Sequence, residues 1–214
     1  MNAEEVCRRL SQMLTTQTPV MNSEGVDRSS AVLLPLVSRD GELAVLFEVR
    51  SASLAWQPGE ICLPGGRIED GDPNPKAAAV RETSEELGLP VTKIEVLGAL
   101  DYIVSPIGIT LYPFVALLAE DAVVQPNLDE VAEVFTVPLQ FFLQAEPLTA
   151  QMEMATRPLG DFPFGFLPQG YSAEWKRRRT YQVYFYSYGQ HVIWGLTAQV
   201  IRNFLQVWRI CRKS

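Results

Sequence analysis

Apolar and polar positions follow two rhythms along the chain, one near 3.6 residues and one of two. Residues 3–15 carry apolar positions at helical spacing, and the turn-rich TTQTPVMNSEGVDRSS that follows breaks the pattern. SAVLLPLV (30–37) and ELAVLFEV (42–49) read as strands joined by SRDGE, a hairpin signal. From Arg50 to Pro75 the chain reads as loop, with Pro-Gly-Gly at 64–66. A helix is predicted next, with Asn74 as N-cap, Pro75 as first residue and Gly88 as stop. IEVLGALDYIV (94–104) and LYPFVALLA (111–119) read as strands, and EVAEVFTVPLQFFL (130–143) as a strand entering a short helix. Residues 146–180, rich in Pro and Gly, read as irregular, TYQVYFYSY (180–188) as a strand and LTAQVIRNFLQVW (196–208) as a helix. There is no internal repeat and no clean linker. The pattern predicts one α/β domain over 1–214, with an N-terminal helix in 1–17, a core over about 28–190 and a C-terminal helix over 195–210.

The predicted central helix ends in RETSEELG (81–88). Glu82, Glu85 and Glu86 stand at i, i+3 and i+4, on one side of that helix. Like charges at these spacings destabilise a helix by about 0.2–0.5 kcal/mol per pair. They also sit at its C-terminal, negative pole. Ala77, Val80, Ser84 and Leu87, about 180° away, are the expected core face, and the small Ala78 and Ala79 let a neighbouring loop approach. A solvated acidic face is the plain interpretation. Against it, Arg-Glu-x-x-Glu-Glu arises by chance in roughly a few chains per thousand at average composition. A hard divalent cation turns the repulsion into a use, because Mg²⁺ takes oxygen ligands from a few carboxylates plus substrate phosphates. Arg81, one turn before Glu85, is placed to orient that carboxylate.

Composition narrows the partners. Of 214 residues 47% are hydrophobic, and the net charge of −7 argues against nucleic acid as a main partner. No apolar run reaches the length of a membrane span, and the first residues lack the apolar core of a secretory signal. Cys7, Cys62 and Cys211 are odd in number and widely spaced, which predicts free thiols in a reducing cytoplasm and no zinc site. His191, the one histidine, lies in a strand-like run and reads as structural.

The segment GGRIEDGDPNPKAAAVRETSEELGL (65–89) resembles the Nudix box, the signature of Mg²⁺-dependent diphosphate hydrolases. It is longer than the usual box by one residue between Gly-Gly and Arg-Glu, with an acid-rich loop, Glu69 to Asp72, where the box has a glutamate. That length is a habit of the coenzyme A diphosphatase branch. LFEVRSASLAWQPGEICLPGG (46–66) is similar to that branch's upstream motif, with Arg50, Ser51, Gly59, Pro64, Gly65 and Gly66 in register. Glu48 replaces a threonine of the motif, Ala55 an arginine and Leu63 a phenylalanine.

The resemblance implies a Nudix fold, a mixed β-sheet between α-helices, and Mg²⁺ or Mn²⁺ as cofactor. It implies Glu82 and Glu86 as main metal ligands, Glu85 as a third or water-mediated one, and the Gly66 carbonyl as a further ligand. Arg81 joins the three glutamates in the catalytic set, with the general base left open among the acids. Arg50, Ser51, Gly59 and Gly65 are the implied substrate contacts, although Arg50 is equally well a structural ion-pair partner. The implied reaction is hydrolysis of coenzyme A or an acyl-CoA to 3′,5′-ADP and 4′-phosphopantetheine, in the cytoplasm. A Nudix hydrolase for ADP-ribose, dinucleoside polyphosphates or nucleoside triphosphates is the alternative, and a non-catalytic Nudix-fold sensor a second. A small nucleotide is the expected partner, with neither nucleic acid nor membrane, and a homodimer stays open. The basic run EWKRRRTY (174–181) reads first as a solvated loop and second as a site for a 3′-phosphate. The aromatic FPFGFLPQGY (162–171) reads first as a loop packed on the core and second as a lid.

Overall fold

The computed structural model describes residues 3–16, 28–39 and 41–212. The turn-rich stretch expected after the first helix falls mostly outside them. Helix α1 (Ala3–Thr16) is followed by β1 (Arg28–Arg39) and β2 (Glu42–Arg50), which pair antiparallel from Leu36↔Val45 to Arg39↔Glu42 as the hairpin signal predicts. Two short strands, β3 (Ile61–Cys62) and β4 (Gly65–Arg67), lie within the segment read as loop. Then come α2 (Pro75–Leu87), β5 (Ile94–Ala99), β6 (Ile103–Val104), β7 (Ile109–Leu118), β8 (Val131–Pro138) and α3 (Leu139–Gln144). The chain continues through β9 (Leu148–Thr156), β10 (Lys176–Tyr188), β11 (His191–Trp194) and α4 (Gly195–Cys211).

Eight strands form one sheet with the path β3-β2-β1-β7-β5, where β4 flanks β1, β6 flanks β7 and β8 flanks β2. β1 and β7 run parallel and every other pair is antiparallel, so the sheet is mixed. Its two faces bury separate cores. Ala31 and Leu33 of β1, Leu46 of β2 and Ala116 of β7 pack with Ala78, Ala79 and Leu87 of α2. Leu34, Leu36, Val45, Phe47 and Val115 point the other way, toward Phe142 of α3 and Ile201, Phe204 and Leu205 of α4. A strand covered on both faces needs apolar residues at consecutive positions, which is why β1 reads as an almost unbroken apolar run. The expected layering, a mixed sheet between helices, is what the chain adopts.

One irregularity of β1 positions the site. Its N-terminal half pairs with β4 (Ser30↔Arg67 to Val32↔Gly65) and its C-terminal half with β2. Leu33 bridges the switch by donating its N–H to the Pro64 carbonyl at 2.9 Å. Pro35 falls in the gap, where its missing N–H costs no ladder bond. The Gly-Gly segment is thereby held against the centre of the sheet, on the side facing α2.

Three expectations are corrected. The run 94–104 is two strands, because β5 shifts register against β7 between Val96 and Gly98 and ends at Ala99. Residues 146–180 are not irregular throughout, since β9 pairs with β10 from Thr156↔Lys176 to Leu148↔Phe185. Most of β9 is exposed on both faces, so no apolar alternation announces it; its backbone ladder makes it a strand. The basic run accordingly lies in β10, with Arg177 paired to Glu153 at 2.9 Å. FPFGFLPQGY does not pack on the core: Phe166 is 92% exposed, and Phe162 packs on Phe164 and Tyr171 of its own loop.

His191 is structural as expected, stacked on Phe135 with centroids 3.7 Å apart and Nε2 3.1 Å from Glu133. Cys7, Cys62 and Cys211 are free thiols. Among the described residues no helix is long and apolar enough to cross a membrane.

Candidate active site at the acidic helix

Helix α2 is capped at both ends as its sequence predicts. The Asn74 Oδ1 accepts the Ala77 N–H at 3.0 Å, and Pro75 follows at the first helical position. At the C-terminus Gly88 takes the left-handed conformation (φ 61°), and its N–H returns to the Ser84 carbonyl. Two carbonyls that the helix leaves unsatisfied, those of Glu86 and Leu87, accept from Asn127 and Gln125 at 2.9 Å each. The acidic turn is thus fixed by the loop before β8 as well as by its own helix.

The face that α2 buries differs from the expected one. Ala78, Ala79, Thr83, Glu86 and Leu87 are buried, whereas Ala77, Val80 and Ser84 are only partly covered. The three glutamates therefore do not share one solvated side. Glu85 is exposed, Glu82 is half-buried, and Glu86 is turned into the sheet with 4% of its surface accessible.

What Glu86 meets there is backbone. The Gly65 N–H donates to Glu86 Oε2 at 2.8 Å. Gly65 tolerates no side chain, and one at Gly66 would push an acid aside. Gly65 has φ 141°, and a Cβ would strike the Ala31 carbonyl; a Cβ on Gly66 would lie 2.5 Å from the Glu82 carboxylate. Gly66 thus leaves its backbone against the acid that a side chain would displace.

Arg81 organises the outer half of the cluster, chiefly through a partner not assigned to it from sequence. Its Nε and Nη2 bind the two oxygens of Asp72 at 3.0 and 2.9 Å, a bidentate pair. Nη1 reaches Glu82 Oε1 at 2.8 Å and, at a longer 3.3 Å, Glu85 Oε2. Nη2 also reaches the Arg67 carbonyl at 3.3 Å, and of the two glutamates Glu82 is the one it orients. The Asp72 carboxyl is held down to about 2, first by this arginine and then by the Glu69 N–H. Asp72 belongs to the acid-rich loop Glu69 to Asp72, and that loop was the available signal.

A second acid was missed. Glu48 sits on β2 with 1% of its surface exposed, its Oε1 accepts the Cys62 S–H at 3.2 Å, and its Oε2 meets no donor. Burial pushes Glu86 and Glu48 well above the ordinary glutamate value, and their mutual repulsion raises Glu86 further. Glu82 is raised by burial against the opposing pull of Arg81. Without a cation, the native state holds protons that the unfolded chain releases above pH about 4.5, so the contribution of these three acids to stability is fullest below that value and falls as pH rises through neutrality. Melting in a chelator between pH 5 and 9 is expected to show a steady decline, and melting temperatures flat across that range would contradict it.

Of the remaining sequence candidates, Arg50 donates from Nε to the Trp56 carbonyl at 3.3 Å and makes no ion pair among the described residues. Ser51 is buried, with Oγ 2.9 Å from Ser53 Oγ and its N–H on the Glu130 carbonyl; it secures a loop. Gly59 (φ 73°) closes that loop by donating to the Arg50 carbonyl at 3.0 Å. Arg50, Gly65 and Gly66 do converge, on a cavity of about 780 Å³. Ser51 and Gly59 do not line it. Trp56, Ile107, Tyr181, Val183, Trp194 and Leu196 form much of its wall, so β10, β11 and the start of α4 enclose its far side.

A model of the NUDIX domain matches residues 27–157. The chain belongs to the Nudix family. It is similar to the uncharacterized Nudix hydrolase NudL of Photorhabdus laumondii, 34% identical over 180 residues that cover 84% of each chain. It also resembles the peroxisomal coenzyme A diphosphatase NUDT7 of Mus musculus, 42% identical over 116 residues, or 54% of this chain and 49% of that one; the match spans about half of that relative. Among solved structures, a Nudix hydrolase from M. smegmatis, RenU, is 31% identical over 53% of this chain and 73% of its own, with a TM-score of 0.45. This Nudix chain is a hydrolase of the diphosphatase kind. α2 and β4 lie inside the matched region, while the strands that close the far side of the cavity lie beyond it.

Proposed function

We propose that this Nudix hydrolase cleaves the diphosphate of coenzyme A or an acyl-CoA, giving 3′,5′-ADP and a 4′-phosphopantetheine, with a divalent cation held at the acidic helix. The cavity carries the reading. It joins the Gly65–Gly66 edge to a mainly apolar and partly aromatic wall, and its volume is that of a small-molecule site. The upstream Arg50 motif and the half-length match to a coenzyme A diphosphatase support the same substrate.

The residues present fit Mg²⁺ or Mn²⁺. The donors are hard oxygens, one carboxylate oxygen is buried without a donor, and Gly66 keeps its backbone clear beside Glu82. Among the described residues no three His, Cys, Asp or Glu side chains stand together as a metal site. Glu82, Glu86 and the Gly66 carbonyl would hold the ion, with Glu85 at the exposed margin. Such an ion supplies Lewis acidity and neutralises charge on a diphosphate. The chain's own part is positioning. Arg81 fixes Glu82 through the Asp72 pair, Gly65 fixes Glu86, and the cavity wall excludes water from the organic half of the substrate. Glu82, Glu85 and Glu86 are the candidates for accepting the proton of the attacking water.

Ala55 is exposed beside Trp56 at the cavity wall, where the branch has an arginine. A charge-assisted contact is worth about 1.5–3 kcal/mol, roughly ten- to a hundred-fold in affinity. Coenzyme A is therefore expected to be hydrolysed with a high KM that falls at least several-fold in Ala55→Arg. Steady-state kinetics with CoA, dephospho-CoA and ADP-ribose, with Mg²⁺ present, test the assignment. ADP-ribose preferred by an order of magnitude would overturn the coenzyme A reading and leave the diphosphatase standing.

A further inference from the structure

Alternation along β2 sends Leu46 to the α2 side of the sheet, Phe47 to the opposite core, and Glu48 to the α2 side again. A glutamate thus stands where the apolar layer under α2 would continue. It faces Glu86, the acid on the buried side of that helix, and each carboxyl group feels the other's charge. Among the described residues no Lys or Arg forms an ion pair with either. Arg81 is taken up by Asp72, Glu82 and Glu85, and Arg50, whose charge lowers Glu48 against its burial, turns its Nε to the Trp56 carbonyl and pairs with neither acid. Glu86 has the Gly65 N–H and Glu48 has the Cys62 thiol, a weak donor, which leaves Glu48 Oε2 buried with no donor at all.

Buried acceptors are left without donors at a cost, and two facing carboxylates add repulsion to it. Something positive belongs between them. A threonine, the residue of the resembling motif, would bring neither problem. We propose that Glu48 is an additional ligand to the divalent cation, supplied from β2 across from Glu86. The inference rests on the cation reading above and adds to it a donor from outside the acidic helix. A cation there would give the orphaned oxygen its partner and offset both charges at once.

Binding of Mn²⁺ to the full chain without nucleotide, followed by electron paramagnetic resonance and calorimetry, tests it in Glu48→Gln, Glu48→Thr and Glu86→Gln. Melting in a chelator confirms that each variant is folded, and the threonine variant stands in should the glutamine one fail. Both Glu48 variants are expected to bind Mn²⁺ on the order of ten- to a hundred-fold more weakly than the parent. They should also lose most of the upward shift in Tm that Mn²⁺ gives the parent chain. Parent-like Mn²⁺ affinity in both, with weakened binding in Glu86→Gln, would overturn the assignment and leave a proton shared between two acids. Failure of the parent chain itself to bind Mn²⁺ would sink the cation reading, and this inference with it.

Discussion

Glu86→Gln is expected to lower kcat by about a thousand-fold and to leave the fold intact. The magnitude follows from chemistry: electrostatic and Lewis-acid assistance by a metal supplies several kcal/mol, and each 1.4 kcal/mol is about tenfold in rate. The fold should survive because glutamine keeps the oxygen that accepts the Gly65 N–H, now 2.8 Å from Glu86 Oε2. Its new N–H₂ is placed to donate to Glu48, whose Oε2 has no donor in the parent chain. Replacing a buried acid that must hold a proton at neutral pH by a neutral amide relieves about 1–3 kcal/mol. For a domain of this size that is a rise of several degrees in the Tm measured in a chelator. Activity and metal-free stability therefore move in opposite directions. Single-turnover kinetics beside a melting curve in EDTA check both halves. A fully active variant would end the metal reading, and a variant unfolded at room temperature would show Glu86 to be structural first.

The same residue shows where the sequence is readable and where it stops. Cap residues act over three or four positions, so Asn74, Pro75 and Gly88 announced α2 to the residue, and β1, β2 and β7 announced themselves by continuous apolar runs. The cluster of acids on α2 was legible for the same reason, being a matter of local spacing. Its orientation was not. Placing three glutamates on one face put the core face at Ala77, Val80, Ser84 and Leu87; of these only Leu87 is buried, and the packed helix is rotated so that Glu86 is buried with Ala79 and Thr83. That rotation depends on what the sheet offers opposite, here the backbone of Gly65 and the carboxyl of Glu48, which lie 21 and 38 positions away. Asp72 was visible only as part of an acidic loop, because nothing local tells which of Glu69, Asp70 and Asp72 will meet Arg81. β9 was missed because its partner is β10 across a long loop and it buries almost nothing.

Arg81→Ala is expected to cut kcat by about a hundred-fold with little change in KM. The Arg81 guanidinium is occupied by Asp72, Glu82 and Glu85, so its part is to position them and not to hold substrate. It holds Glu82 at 2.8 Å while anchored to the two oxygens of Asp72, and so fixes where that carboxylate stands relative to Gly66. A misplacement of about 1 Å in a catalytic group costs on the order of a hundred-fold. Loss in kcat and in kcat/KM together marks an interaction made in the transition state rather than in binding. Asp72→Asn separates anchor from charge. It keeps the arginine and one acceptor oxygen but gives up the bidentate pair, so it should show the same pattern at about a tenth of the size. Lysine at position 81 should rescue little, since an ammonium cannot span Asp72 and Glu82 as the planar guanidinium does. Should Arg81→Ala raise KM with kcat unchanged, the arginine would be a substrate contact. A loss in Arg81→Ala with no loss in Asp72→Asn would mean that its charge, and not its anchoring, does the work.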